Sequence, residues 1–323
     1  MQFERHFIYE TDAQRPECHA CTLVEVPSGD LLCAWYAGTR EGASDVAILA
    51  SRGLRALPRW RGPEVVADTP GKPDGNPVLF VDQWGHTRLF YVTIEGDDWK
   101  SAVLKTAKSE DEGRTWEEPV VLDEPPGTMP RNKPLLLDEQ TILLPLYDET
   151  TWRSFVYIST DRCESWHRSG WIEAPTGCIQ PTLFPRSDGT LVALLRDRAK
   201  KNVWRSESTD GGETWSPCEA TSLPNPNAAV DAVLLDTGNV VLAFNDTRER
   251  RTPLSLAWSR DGGLTWPVKL DLETEDGEFS YPAIIQDTAG LIHCAYTWRR
   301  KAIAHVTLDE AWLLEKGSKY QEN

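Results

Sequence analysis

Ser208-Thr209-Asp210-Gly211-Gly212-Glu213-Thr214-Trp215 decides how this chain is read, because it recurs. Ser109-Glu110-Asp111-Glu112-Gly113-Arg114-Thr115-Trp116 and Ser159-Thr160-Asp161-Arg162-Cys163-Glu164-Ser165-Trp166 precede it, and Ser259-Arg260-Asp261-Gly262-Gly263-Leu264-Thr265-Trp266 follows. The starts lie 50, 49 and 51 residues apart, the mark of a repeat architecture. Ser and Asp turn the chain by side-chain bonds to nearby backbone N–H groups, and Gly supplies a positive φ. Thr and Trp then re-enter a strand. Each copy therefore reads as strand, tight turn, strand, and its Asp and Trp as turn parts rather than catalysts. The second copy has Cys163 where the others have Gly. A left-handed backbone there costs roughly 1 kcal/mol.

A second repeat lies between the boxes. Six β-rich hairpins begin near Thr22, Asn76, Lys133, Gln180, Ala232 and Tyr281, most turning through Gly. With the strands flanking each box they make four strands per unit of about 50 residues, the size of a propeller blade. The expectation is an all-β, six-bladed β-propeller with four-stranded blades and Asp-box hairpins, forming one domain over 1–323. Residues 51–60 read as a degenerate box in the first blade. The last hairpin has no box after it, and residues 3–9 are expected to supply its missing strand and close the ring. The one helix-period stretch is 308–316. A pair of β-sandwiches is the competing architecture, but sandwiches do not repeat at this period.

The net charge of −16 disfavours nucleic acid and anionic membrane surfaces as partners. Of 14 Trp the boxes use four, leaving others to pack core or stack on sugars. Seven Cys at irregular spacing imply no disulfide framework. Cys18-His19-Ala20-Cys21 is a weak metal or redox signal, with no second Cys/His pair nearby. Nothing else asks for a metal or cofactor. The N-terminus lacks a signal-peptide pattern and no apolar run is long enough to span a membrane, so the expected location is cytoplasmic. Oligomeric state is not legible.

In a propeller the start of each blade's first strand and the end of its second meet around the axis. The starts carry His19, Asn76, Arg131-Asn132-Lys133, Gln180, Asp231 and Tyr281. The ends carry Arg40-Glu41 with Asp45, Glu95, Asp148-Glu149, Arg196, Asn245-Asp246-Arg248 and Arg299-Arg300. Such convergence of polar groups reads as a binding face. Glycoside cleavage needs an acid for the leaving oxygen and a nucleophile or base opposite it. Asp45, Glu41, Glu95, Glu149, Asp231 and Glu278 are the candidate carboxylates. Arginines bind a planar carboxylate bidentately, so Arg40, Arg131, Arg196, Arg251 and Arg299 make an acidic sugar the expected ligand.

Asp boxes on a six-bladed propeller resemble the sialidase (neuraminidase) superfamily, over nearly the whole chain. The resemblance implies three arginines on the substrate carboxylate, a Tyr nucleophile paired with a Glu, and an Asp acid/base. Arg196 and Arg251 look like the second and third arginines, Tyr281 like the nucleophile and Asp45 like the acid/base. Two positions depart from the pattern. His19 stands where the first arginine belongs, and Gln180, sixteen residues before Arg196, stands where the Glu belongs. An amide cannot accept the phenolic proton as a carboxylate can. Glu278 or Asp231 could replace that base.

The reading is a sialidase-like glycoside hydrolase removing a terminal, acidic sugar from a glycan. Asp45, Tyr281, Glu278 and His19 are its candidate catalytic groups. Arg40, Glu41, Asn76, Arg131, Asn132, Lys133, Gln180, Arg196, Asp231, Arg251 and Arg299 are its candidate substrate contacts. The alternatives are a non-catalytic glycan-binding propeller, a uronic-acid lyase or isomerase using His19 and Tyr281, and a protein-interaction scaffold.

Overall fold

A computed structural model describes residues 3–55, 59–122 and 125–320. Six small antiparallel sheets form a six-bladed propeller. Blade 1 starts on Glu17–Glu25, blade 2 on Asp74–Val81, blade 4 on Cys178–Pro185, blade 5 on Asp231–Leu234 and blade 6 on Phe279–Gln286. These innermost strands are apolar on both faces, because neighbouring blades cover them. The outer strand of blade 6 is Glu4–Glu10, paired antiparallel with Ala302–Leu308, so the two ends of the chain close the ring as expected. A short helix, Glu310–Lys316, lies within the stretch read as helical. The degenerate box at 51–60 includes residues 56–58, which lie outside the described residues.

The core is divided rather than central. Six apolar clusters each fill one blade-to-blade interface. The box tryptophans reach back into them: Trp116 joins the blade 1–2 cluster, Trp166 the 2–3, Trp215 the 3–4 and Trp266 the 4–5. Each box is thus a turn that delivers an aromatic ring to the preceding blade. In the copy at 208–215, Ser208 Oγ donates to Asp210 (2.8 Å) and accepts from Gly212 N (2.9 Å). Thr214 donates through its N–H (3.0 Å) and its hydroxyl (2.5 Å) to the two Asp210 oxygens. The other three boxes repeat this set. Bonds from Thr115 hold the Asp111 carboxyl down at about 2.

Blade 3 departs from the pattern. Its inner edge is two fragments, Thr128–Pro130 and Leu135–Leu136, broken at 131–134. The break releases three side chains across the axis. Arg131 donates to the Cys21 carbonyl of blade 1 (3.2 Å) and the Pro282 carbonyl of blade 6 (3.0 Å). Asn132 donates to Gln180, Pro181 and Val230 carbonyls, at the inner edges of blades 4 and 5. Lys133 meets both oxygens of Asp231 (2.8 and 2.9 Å) and the Ala232 carbonyl. Asp231 also accepts from Thr182 and from Ile284 N. Arg131, Asn132, Lys133 and Asp231 were candidate substrate or catalytic groups, but most of their polar atoms hold the blades to one another, with Arg131 Nε and Asn132 Oδ1 lacking a partner among the described residues. Arg131, Asn132 and Asp231 are buried, each about 2% exposed.

Cys163 sits at φ 63, so the second box does hold a left-handed non-glycine residue. Cys163→Gly relieves that strain and is expected to raise unfolding free energy by up to about 1 kcal/mol in urea denaturation. A less stable variant would show that the packing of the thiol in the blade 2–3 core outweighs the strain. Asp231→Ala leaves Lys133 without its partner and is expected to cost about 3–5 kcal/mol in the same assay. A cost below about 1 kcal/mol would refute the role given to this clasp.

Candidate active site

The site is built by one backbone device used repeatedly. Four inner strands carry a bulge near their start, with a non-glycine residue at positive φ: Ala20 (55°), Asn76 (47°), Gln180 (59°) and Tyr281 (54°). A bulge re-aims a side chain. In Asn76-Pro77, Gln180-Pro181 and Tyr281-Pro282 the proline also bars the preceding residue from the right-handed helical region. Asn76, Gln180 and Tyr281 thereby line one cavity of about 190 Å3 at the axis. Holding each of them left-handed costs of order 1–3 kcal/mol.

Around these three stand Arg196, from the end of blade 4's second strand, and Arg251, ahead of blade 5's third strand. Arg300 comes from the turn after Ile292–Trp298. Arg196 donates to the Tyr281 hydroxyl (2.9 Å), to Gln180 Oε1 (3.1 Å) and to Asn227 (2.6 Å). Arg251 and Arg300 grip the two oxygens of Glu278 (2.7 and 3.1 Å), and Arg300 also bonds Glu41 (2.5 Å). Arg131 lies 5.0 Å from the Tyr281 ring centre. It is a support for that ring, not part of the cavity wall.

Charge sets the protonation states. Burial raises the Tyr281 pKa, but the charges of Arg196 and Arg251 outweigh it and leave the phenol more acidic than usual. His19 packs 4.3 Å from Tyr281 between ring centres. Burial, then the field of Arg300, Arg251, Arg131 and Arg196, pushes its pKa well down, so its imidazole is neutral. Its Nδ1 has no hydrogen-bond partner among the described residues. Glu278 is held below the usual carboxyl range by Arg251 and Arg300, against the effect of burial. Glu149 goes the other way: burial raises it, only partly offset by Arg196.

The structure sorts the sequence-derived candidates. Glu41, Asn76, Gln180, Arg196, Arg251 and Tyr281 line the cavity, with Glu278 bonded to two of its arginines and His19 packed on Tyr281. Asp45 and Arg40 are exposed on the loop after blade 1's second strand, outside the cavity wall. Both Asp45 oxygens are taken by Thr39, through its N–H (3.0 Å) and hydroxyl (2.9 Å). Arg299 turns outward to Glu275 (2.7 Å), and its neighbour Arg300 supplies the guanidinium instead. Tyr147, Trp99 and Tyr36 complete the wall without having been singled out. Tyr147 accepts from Asn76 (3.1 Å) and Gln180 (3.3 Å). Trp99 reaches the cavity because Gly75 lies beneath it, where a Cβ would come within 2.7 Å of the ring. Cys18 and Cys21 are buried in the blade 6–1 core.

Residues 29–294 match the family described as BNR repeat-like domain. Over 278 residues the chain is 23% identical to a protein named sialidase from Bacteroides fragilis (strain YCH46), covering 76% of this chain and 48% of that one. The chain thus spans about half the length of that relative. Among solved structures, the Hadza microbial sialidase Hz136 superposes with a TM-score of 0.83 at 19% identity, over 96% of this chain and 69% of the other. A protein of unknown function from Dyadobacter fermentans DSM 18053 gives 0.80 at 16% identity, over 95% and 98%. The likeness of fold, the repeat boxes and the family match agree: this chain belongs to the BNR repeat-like family and is a sialidase-like six-bladed propeller.

Proposed function

We propose that the protein is an exo-acting glycoside hydrolase that removes a terminal acidic sugar from a glycan. The observation that carries this reading is the convergence of Arg196, Arg251 and Arg300 on a small cavity floored by the Tyr281 hydroxyl. Relatives named sialidases point to the same class of chemistry. Guanidinium groups bind carboxylates in a planar, charge-assisted way, and three of them select an anionic sugar over a neutral one.

The chemistry follows from the protonation states. Gln180 cannot act as the base for Tyr281, so the arginines take over activation by stabilising the phenolate. Tyr281 first gives up its proton to solvent; its phenolate oxygen then attacks the anomeric carbon while Glu149 gives its proton to the glycosidic oxygen, and the aglycone leaves as an alcohol. Glu149, now a carboxylate, takes a proton from water as the water oxygen displaces Tyr281. The sugar is released with its configuration retained. Glu149 takes this role in place of Asp45 because it lines the cavity and its carboxyl stays protonated to higher pH.

The acidified Tyr281 phenol also suits a second reading, as the base of a β-elimination on a uronic acid. His19 is buried behind its ring and outside the cavity wall, so it touches Tyr281 and not the sugar. An elimination product is unsaturated and absorbs in the near ultraviolet, whereas a hydrolysis product does not. Aryl sialosides, uronides and deoxysugars, read by aglycone release, and 4-linked oligouronides, read by the unsaturated product, separate the two. Aglycone release from an acidic glycoside other than a sialoside, with no unsaturated product from the oligouronides, is expected.

On the best substrate from that screen, Glu149→Gln is expected to lower kcat by about 10²–10⁴-fold and Asp45→Asn by no more than a few-fold. The reverse order would return the acid/base role to Asp45. A general acid works only while protonated. The reacting form pairs that acid with the Tyr281 phenolate, so activity is expected to rise with pH up to the Glu149 pKa, above the ordinary 4.5 of a glutamic acid, to hold level, and to fall through the Tyr281 pKa, below the ordinary 10 of a tyrosine. Steady-state pH profiles check this.

A further inference from the structure

A second cavity, of about 700 Å3, lies on the same face between blades 3 and 4, and nothing in the proposed chemistry uses it. Its wall includes Trp152, Trp171, Trp215, Arg153 and Arg198. The two cavities share a partition. Arg196 of the central cavity and Arg198 of the outer one lie 5.6 and 5.3 Å from the centre of the Trp152 ring. Trp152 and Arg198 both rest on Gly177, where a Cβ would meet them at 3.0 and 3.5 Å. Trp152 itself sits at φ 57, in the turn that also carries Glu149.

Not every group here is available to a ligand. Trp171 is covered by Arg153 (3.9 Å) and Arg168 (3.6 Å), and Arg153 is paired with Glu173 (3.1 Å). These build the wall. Arg198 differs: it is exposed and has no carboxylate partner among the described residues. In a chain of net charge −16 it is a cation set beside an indole face, one step from the central arginines. Aromatic faces with adjacent guanidinium groups take sugar rings by apolar contact and carboxylates by charge-assisted bonds.

We propose that this outer cavity is the leaving-group subsite, and that the substrate is an acidic oligosaccharide carrying a second anionic residue next to the terminal one. The inference rests on the hydrolase reading above. It also fits it, because an acid that protonates the leaving oxygen must stand on the leaving-group side, and Glu149 and Trp152 share one turn. The terminal sugar occupies the central cavity, the glycosidic oxygen lies at Glu149, and the next residue passes over Trp152 to Arg198.

The test is calorimetric binding to the Tyr281→Phe protein, which keeps the arginines but not the nucleophile. The probes are N-acetylneuraminic, galacturonic and glucuronic acids, each beside an oligosaccharide in which the next residue is the same acid: α2,8-linked disialic acid, tetragalacturonic acid and a β1,4-linked glucuronic acid disaccharide. At least one oligosaccharide is expected to bind about ten-fold or more tighter than its monosaccharide. Adding Arg198→Ala should remove that gain and leave monosaccharide binding unchanged, while Arg198→Lys restores part of it. Monosaccharide binding with no oligosaccharide gain, or a gain indifferent to Arg198, overturns the subsite and leaves the central reading standing. Absence of binding by every probe overturns both.

Discussion

The clasp made by Arg131, Asn132 and Lys133 is the contact on which the rest of the molecule depends. A propeller has no central core, since its apolar clusters lie between blades, and its inner strands would otherwise face an open channel. Here blade 3 gives up part of its own edge pairing so that three consecutive side chains reach blades 1, 4, 5 and 6. The strand Glu4–Glu10 closes the ring separately, on blade 6. The clasp is costly in desolvation and therefore works only as a complete set: Lys133 has Asp231 and a carbonyl, and Asp231 has Thr182 and a backbone N–H besides.

The clasp also fixes where the chemistry can be. Arg131 lies against the Tyr281 ring and Asn132 holds the carbonyls of Gln180 and Pro181, so both strained residues are pinned from behind. Left-handed tyrosine and glutamine persist only where their surroundings over-determine them. In front of them the arginines meet their carboxylates, and the result is a division of labour by environment. Glu278 is pulled ionised by two guanidinium groups, while Glu149, more buried than paired, is pushed toward the neutral acid. Burial chiefly keeps His19 neutral, and the positive field that makes Tyr281 acidic adds to it.

The fold was legible because repetition is legible. Four boxes at a nearly constant spacing fix blade number and phase, and the phase read with the family resemblance locates Arg196, Gln180, Arg251 and Tyr281. What the sequence hid was direction. Arg299 and Arg300 are adjacent, and which of them faces the cavity is decided by a turn with both at positive φ, which no spacing rule forecasts. Arg131 reads as one more arginine at a strand start, and only the broken edge of blade 3 shows that it is spent on carbonyls. Asp45 has the right place in the family pattern, but the neighbouring Thr39 offers two donors and captures it. Tyr147 and Trp99 gave no signal, being ordinary strand and loop aromatics until the bulges bring Asn76 and Gln180 to one and Gly75 beneath the other.

The central claim is that Arg196, Arg251 and Arg300 read a carboxylate at Tyr281. Calorimetric titration of N-acetylneuraminic, glucuronic and galacturonic acids, each against its own methyl ester, tests it most directly. At least one acid should bind about ten-fold or more tighter than its ester, with Arg300→Ala erasing the difference. If no acid outbinds its ester, the arginine cluster is a structural ion-pair network and the account is wrong.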